Sequence, residues 1–149
     1  MSTTRVLSVE DARLNQTTLV TTRNVEYKDL DLTFTAKGSG EIYKKVDAAA
    51  VKQAVKTLIS TNRFDKPFKP DFGADIRGLL FELVDDPDIE YEIDERIRQN
   101  INRYEPRAKV LDLVVNSQPN NNSISVRLEF QVINTEEIIT LTTNFSRLR

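Results

Sequence analysis

The chain of 149 residues has the size of one ordinary domain, long enough to bury a real core and too short for two generous ones. Lys plus Arg number 21 and Asp plus Glu 23, a formal net charge of −2, and the 30% charged and 39% hydrophobic fractions are those of a globular, soluble chain. His, Cys and Trp are all absent, which excludes imidazole bases, nucleophile–His–acid triads, thiolate nucleophiles, disulfides, and zinc or iron–sulfur sites built on His or Cys. Chemistry would have to come from carboxylates, Lys or Tyr, or from magnesium or calcium held by oxygen. The lack of Cys is compatible with a reducing compartment. Met1–Asp11 holds no signal-like apolar run and no stretch reaches membrane-spanning length, so a cytoplasmic protein without a membrane partner is expected.

Residues 1–28 scatter Ser, Thr and Asn among apolar residues without a sustained period and read as an N-terminal extension, leaving 29–149 as the domain. Leu30, Leu32 and Phe34 alternate with Asp31 and Thr33, the period of a half-buried strand, which Gly38-Ser39-Gly40 ends. From Asp47 the period changes. Val51, Ala54, Val55, Leu58 and Ile59 share one helical face, with Asp47 placed as an N-cap before three alanines. A polar turn follows over Asn62–Pro70, and a short second helix opens near Gly73 with Ile76, Leu79, Leu80 and Leu83 on its apolar side. Asp86-Pro87 supplies a cap and a first-turn proline for a third helix, whose Ile89, Ile93, Ile97 and Ile101 form one stripe.

Beyond Pro106 the pattern is that of strands: Lys109–Val115, a loop over Asn116–Asn122, then Ile124, Val126, Leu128, Phe130 and Val132 alternating with polar residues. A turn at Asn134–Glu136 leads to a last, edge strand over Ile138–Thr143. The prediction is an α+β fold, about three helices packed on a mainly antiparallel sheet.

Glu82–Glu95 carries eight acids and no base, and arginines dominate the residues that follow. A solvated helix matched to its own dipole explains this, with docking onto a partner of opposite charge as the alternative. A calcium loop is not supported, because the run has no glycine at the turn position such a loop needs. Carboxylate pairs of glycosidase type can be drawn by chance among so many acids. The four glycines fit no phosphate-binding fingerprint, and the negative net charge argues against nucleic acid. No metal, cofactor or catalytic residue is assigned.

Two clusters carry more information. In Arg63–Gly73, Pro67, Phe68, Phe72 and Gly73 belong to a stiff, partly apolar link between helices, which a loop folded onto its own core would also explain. In Tyr104-Glu105-Pro106-Arg107 the proline stops the helix and fixes an acid beside a base, so that Arg107 can form a bidentate pair within the fold or across an interface.

Asp29–Phe34, Lys66–Phe68 with Pro70–Gly73, Leu79–Glu82 and Tyr104–Arg107 occur in the order and spacing of one family. Over about residues 29 to 143 the sequence resembles the sheath-initiating baseplate wedge subunits of contractile-tailed bacteriophages, a family labelled lysozyme-like and shared with a type VI secretion baseplate component. It departs from them in carrying Leu83 after Glu82, where a proline is common.

The resemblance implies a structural virion protein of the tail baseplate, assembled in the host cytoplasm and not an enzyme. Implied partners are other wedge proteins, central hub or tail tube proteins, and the first ring of tail sheath protein, whose arms would add as strands to the sheet of residues 109–143. Glu105, Pro106 and Arg107 would dock in the baseplate, so that Arg107→Ala is expected to leave the domain folded while weakening assembly. Arg127 and Ile139 are taken as outward donor positions on the sheet, where proline would block sheath initiation. The alternatives are a peptidoglycan-cleaving glycosidase and a small adaptor for a cellular regulator.

Overall fold

The computed structural model describes residues 27–80, 88–118 and 121–146. Along the chain its elements are β1 (Lys28–Leu30), β2 (Lys44–Val46), α1 (Asp47–Ser60), α2 (Ile76–Leu79), α3 (Asp88–Tyr104), β3 (Ala108–Gln118), β4 (Ser123–Val132) and β5 (Ile138–Ser146). The strict alternation of β4 places Ile124, Val126, Leu128, Phe130 and Val132 on one face, all of them buried. That face lies in the middle of an antiparallel meander of order β3-β4-β5. The isoleucine stripe of α3 and Val51, Val55, Leu58 and Ile59 of α1 close over it, so the core is one helix layer on one sheet. A separate antiparallel pair, β1 with β2, precedes α1. The expected α+β class is therefore observed, and among the described residues no helix is long and apolar enough to cross a membrane.

Several expected boundaries differ, each for a local reason. The Leu30, Leu32, Phe34 strand stops at Leu30, and all three side chains remain exposed. The Asp31 carboxylate accepts the Thr33 amide at 3.0 Å and the Asp31 carbonyl accepts the Phe34 amide at 3.1 Å, so the chain turns where alternation predicted extension. Asp47 begins α1 but makes no side-chain cap. Its carboxylate accepts the Tyr27 amide at 3.0 Å while its own amide donates to the Tyr27 carbonyl at 2.7 Å, which fastens β1 to the helix start. β3 continues three residues past Val115 to Gln118, and β5 runs to Ser146. Leu83 and the Asp86-Pro87 helix opening lie outside the described residues.

Asp31 is held below the ordinary aspartate value of 3.8, first by the Thr33 amide and, against some desolvation, by Lys45 at 3.3 Å. A depressed carboxylate contributes stability that is complete above 3.8 and is lost as pH falls through its folded value. The turn at 31–34 should therefore loosen in acid before the core does. Amide exchange at Thr33 is expected to accelerate below pH 3.8 in the native chain and to lose that dependence in Asp31→Asn, which keeps an acceptor oxygen.

Candidate functional site

Pro106 has no amide to extend a helix and disfavours helical backbone at the residue before it, so α3 ends at Tyr104 with one last bond from the Glu105 amide to the Ile101 carbonyl at 2.8 Å. The side chain of Glu105 turns inward and is only 5% exposed. Both of its oxygens accept from Arg107: Nε donates to Oε1, and Nη2 donates to Oε2 at 2.6 Å. Of the two placements open for Arg107, the bidentate pair thus forms within the chain.

The same guanidinium lies 5.0 Å from the centre of the Tyr27 ring. The Glu105 hydrogen bond raises the Arg107 pKa, opposed by partial burial. The Glu105 carbonyl takes the Ala108 amide at 3.1 Å and the Arg107 carbonyl takes the Ile133 amide at 3.0 Å, which ties the end of α3 to the start of the sheet.

The Phe/Pro link meets this corner. Phe72 packs edge-on against Tyr104, with ring centres 5.1 Å apart, and Lys66 Nζ sits 4.0 Å from the centre of the Phe72 ring. Gly73, buried at φ 106°, passes so close to Thr61 that a β-carbon there would stand 2.3 Å from its carbonyl oxygen. Folding back onto the core therefore describes Phe72 and Gly73, but not Pro67, Phe68 or Phe64, which are exposed. Phe68 is 102% exposed and Phe64 80%, and both hold positive φ, an unusual conformation for a bulky side chain. Asp29, Leu32, Gln53, Phe72, Tyr104 and Glu105 contribute to the wall of a cavity of ≈ 150 Å³ between the two motifs.

Gln53 of α1 belongs to this corner as well. Its amide donates to the Leu30 carbonyl at 2.7 Å and accepts from the Leu32 amide, so it satisfies the backbone of the last β1 residue and of the turn just beyond it. The only signal for it in the sequence is a polar residue within the helix that carries the apolar stripe.

The two edges of the meander are unlike. Along β4 the Ile133 amide donates toward Arg107 on the β3 side and the Val132 amide donates to Glu137 on the β5 side, so odd-numbered residues face β3 and even-numbered ones face β5. Carried across the register, the amides of Ile138, Thr140, Thr142 and Asn144 point away from the sheet, with no backbone partner among the described residues. Along β3 the outward amides are Ala108, Val110, Leu113, Val115 and Ser117. Ala108 is bonded by Glu105, and Ser117 donates to Glu90 Oε1 of α3 at 2.7 Å. Leu111 interrupts the same edge as a bulge, and α3 packs beside it.

This corrects the two donor positions taken from the sequence. Arg127 lies in the central strand between Val114 and Thr142, and its amide is directed at β3. Ile139 is on the edge strand, but its side chain is buried and its amide is directed at β4.

The acid run is a ladder more than a site. Glu92 pairs with Arg96 at 2.6 Å, Asp94 with Arg98 at 2.8 Å, Glu95 accepts from Gln99, and Glu90 caps β3. The Asp94 contact raises the Arg98 pKa. Asp88 and Glu90 stand in the first turn of α3 and Arg103 in the last, which matches the helix dipole. Glu82, Asp85 and Asp86 lie outside the described residues. Among the described residues no three acids converge to hold a metal ion.

Comparison with known proteins places this corner in a family. Residues 45–137, from β2 through the turn before β5, match the family model of the baseplate wedge protein gp25. The baseplate wedge protein gp25 of Enterobacteria phage T4 is 25% identical over 116 residues, covering 78% of this chain and 87% of that protein. Among solved structures, a chain of the anti-feeding prophage baseplate superposes with a TM-score of 0.57 at 17% identity, over 80% of this chain and 85% of that one. A candidate tail lysozyme from Geobacter sulfurreducens gives 0.58 at 18% identity, over 66% of this chain and 89% of that one. A chain of the post-contraction pyocin R2 baseplate gives 0.50 at 14%, over 81% and 99%. At such identities the solved structures establish the shared fold alone, whereas the family model matches most of the chain. The corner formed by Phe72, Tyr104, Glu105 and Arg107 thus sits in a protein that belongs to the baseplate wedge protein gp25 family, a baseplate component of contractile tails.

Proposed function

We propose that residues 29–149 join the wedge to central hub or tail tube proteins through the Tyr104–Arg107 corner, and that β5 accepts a strand from the first ring of tail sheath protein, which templates sheath assembly. The observation that carries this reading is the asymmetry of the sheet. β5 offers successive outward amides at Ile138, Thr140, Thr142, Asn144 and Ser146, beside exposed side chains that would set the register of an added strand. β3 is bonded at both ends and bulged in the middle. A non-catalytic role agrees with the placement of the acids. Both oxygens of Glu105 accept from a guanidinium, the geometry of an ion pair and not of a proton donor poised toward a glycosidic bond.

Proline separates the two sides of β5. At Thr142 it removes an amide that bonds nothing in the described sheet, while at Thr143 it removes one that faces β4. Thr142→Pro is expected to keep the native circular dichroism while tails assemble baseplates that carry no sheath. Thr143→Pro is expected to damage the fold itself. Sheathed tails from a folded Thr142→Pro chain would overturn strand acceptance at β5.

A further inference from the structure

On the face of α3 that meets the loop between α1 and α2, Arg96 and Arg103, seven positions apart on the helix, meet Arg63 of that loop. Arg63, Arg96 and Arg103, with Asp71, Gly73 and Asn100, line a pocket of ≈ 230 Å³. The lining carries these three arginines and one acid, Asp71, while Asp75 and Glu92 reach Arg96 from beside it. Its internal neutralisation is incomplete. Arg63 reaches Asp71 only at 3.9 Å, with both side chains exposed, a contact of little strength. Arg96 is shared between Glu92 at 2.6 Å and Asp75 at 3.8 Å. Arg103 lies over its neighbour Tyr104, at 5.2 Å from the ring centre, and no ion pair to it is found among the described residues.

The loop whose two ends supply Arg63 and Asp71 also carries Phe64 and Phe68. Both are exposed and both sit at positive φ, 66° and 67°. The Phe64 amide donates to the Pro70 carbonyl at 3.0 Å, and Lys69 to Lys66 at 3.2 Å, so internal bonds hold the loop in this shape. Strained backbone that leaves two aromatic rings in solvent gains nothing inside the domain, and such features are placed where a partner covers them.

We propose that this arginine pocket receives an acidic side chain of a neighbouring baseplate protein, presented on a segment whose apolar residues cover Phe64 and Phe68 of the loop that supplies Arg63 and Asp71. The proposal rests on the baseplate reading and names the partner chemistry of one of its surfaces. Charge complementarity selects the carboxylate, which a guanidinium fork binds in two hydrogen bonds. The exposed phenylalanines select a protein segment over a nucleic-acid backbone, since the pocket offers one small basic site and no extended basic track.

Arg103→Lys keeps the charge and places an amine at the pocket, so a carbodiimide can join that position to any carboxylate bound there. Contractile tails would be purified with this variant in place of the native chain, cross-linked and examined by mass spectrometry. The expected product couples position 103 to an Asp or Glu of a different baseplate protein, with an apolar residue within a few positions of it. Arg103→Glu, and separately Phe64→Ser with Phe68→Ser, are expected to lower incorporation of the chain into tails by about tenfold. If tails carry the chain in full but position 103 couples only to its own Asp71 or Asp75, or to nothing, the pocket assignment fails and the baseplate reading stands. If the chain is absent from the tails, the baseplate reading fails and this inference falls with it.

Discussion

Replacing Gly73 with alanine is expected to lower the stability of the domain by about 3–5 kcal/mol, a fall in melting temperature of roughly 10 °C for a chain of this size. Two effects combine at this position. A φ of 106° is strained for any L-residue, and the added β-carbon would lie 2.3 Å from the Thr61 carbonyl oxygen and 2.8 Å from its carbon. Both neighbours are backbone, so neither can swing aside. Gly40 separates the contributions. It has φ 83° with nothing within 4 Å of a β-carbon, so Gly40→Ala carries the conformational part alone, about 1 kcal/mol. Calorimetry on the two variants checks this, and equal shifts would refute the close-approach argument. Because Gly73 follows Phe72, the damaged variant should also lose the Phe72–Tyr104 contact.

The second large effect is at Arg107, where the structure changes the expectation drawn from the sequence. With Glu105 buried and held by two bonds, Arg107→Ala leaves a nearly enclosed carboxylate without its partner. The cost is about 2–4 kcal/mol, below the full value for a buried pair because the guanidinium is partly in solvent. Glu105→Leu combined with Arg107→Met removes both charges and should recover most of that loss. Urea unfolding of the single and double variants decides the point, since a double variant as unstable as Arg107→Ala would contradict the ion-pair account. A docking role for Arg107 is therefore best read in the double variant, or with stability measured beside assembly. The raised Arg107 pKa contributes stability at all pH values below the ordinary arginine range, so this side of the pair adds no pH dependence under usual assay conditions.

The elements that could be read from the sequence are those whose signal is local and repeated. Ile89, Ile93, Ile97 and Ile101 announce a helix with one buried stripe, and Ile124 through Val132 announce a strand with one buried face, because the period itself states which side chains share a surface. Leu30, Leu32 and Phe34 show the limit of that signal. Alternation says which residues would lie together and not whether anything covers them, and here an aspartate side chain bends the chain first.

The two named motifs were visible as motifs, but their meeting through Phe72 and Tyr104 was not, since nothing in either stretch specifies the other. The difference between the edges was equally hidden. It depends on Glu90, 27 positions before Ser117 in the chain, and on the parity of amides along β4. Arg96 and Arg103 share a helical face by their spacing of seven, whereas the arrival of Arg63 beside them is a product of the packing.

Among the described residues β5 leaves its outward amides without a backbone partner, while β3 keeps those of Val110, Leu113 and Val115 between two bonded ends and beside a bulge. If β5 takes up a strand as proposed, each copy of the chain supplies one such edge, and the number of arms gathered would then follow the number of copies assembled.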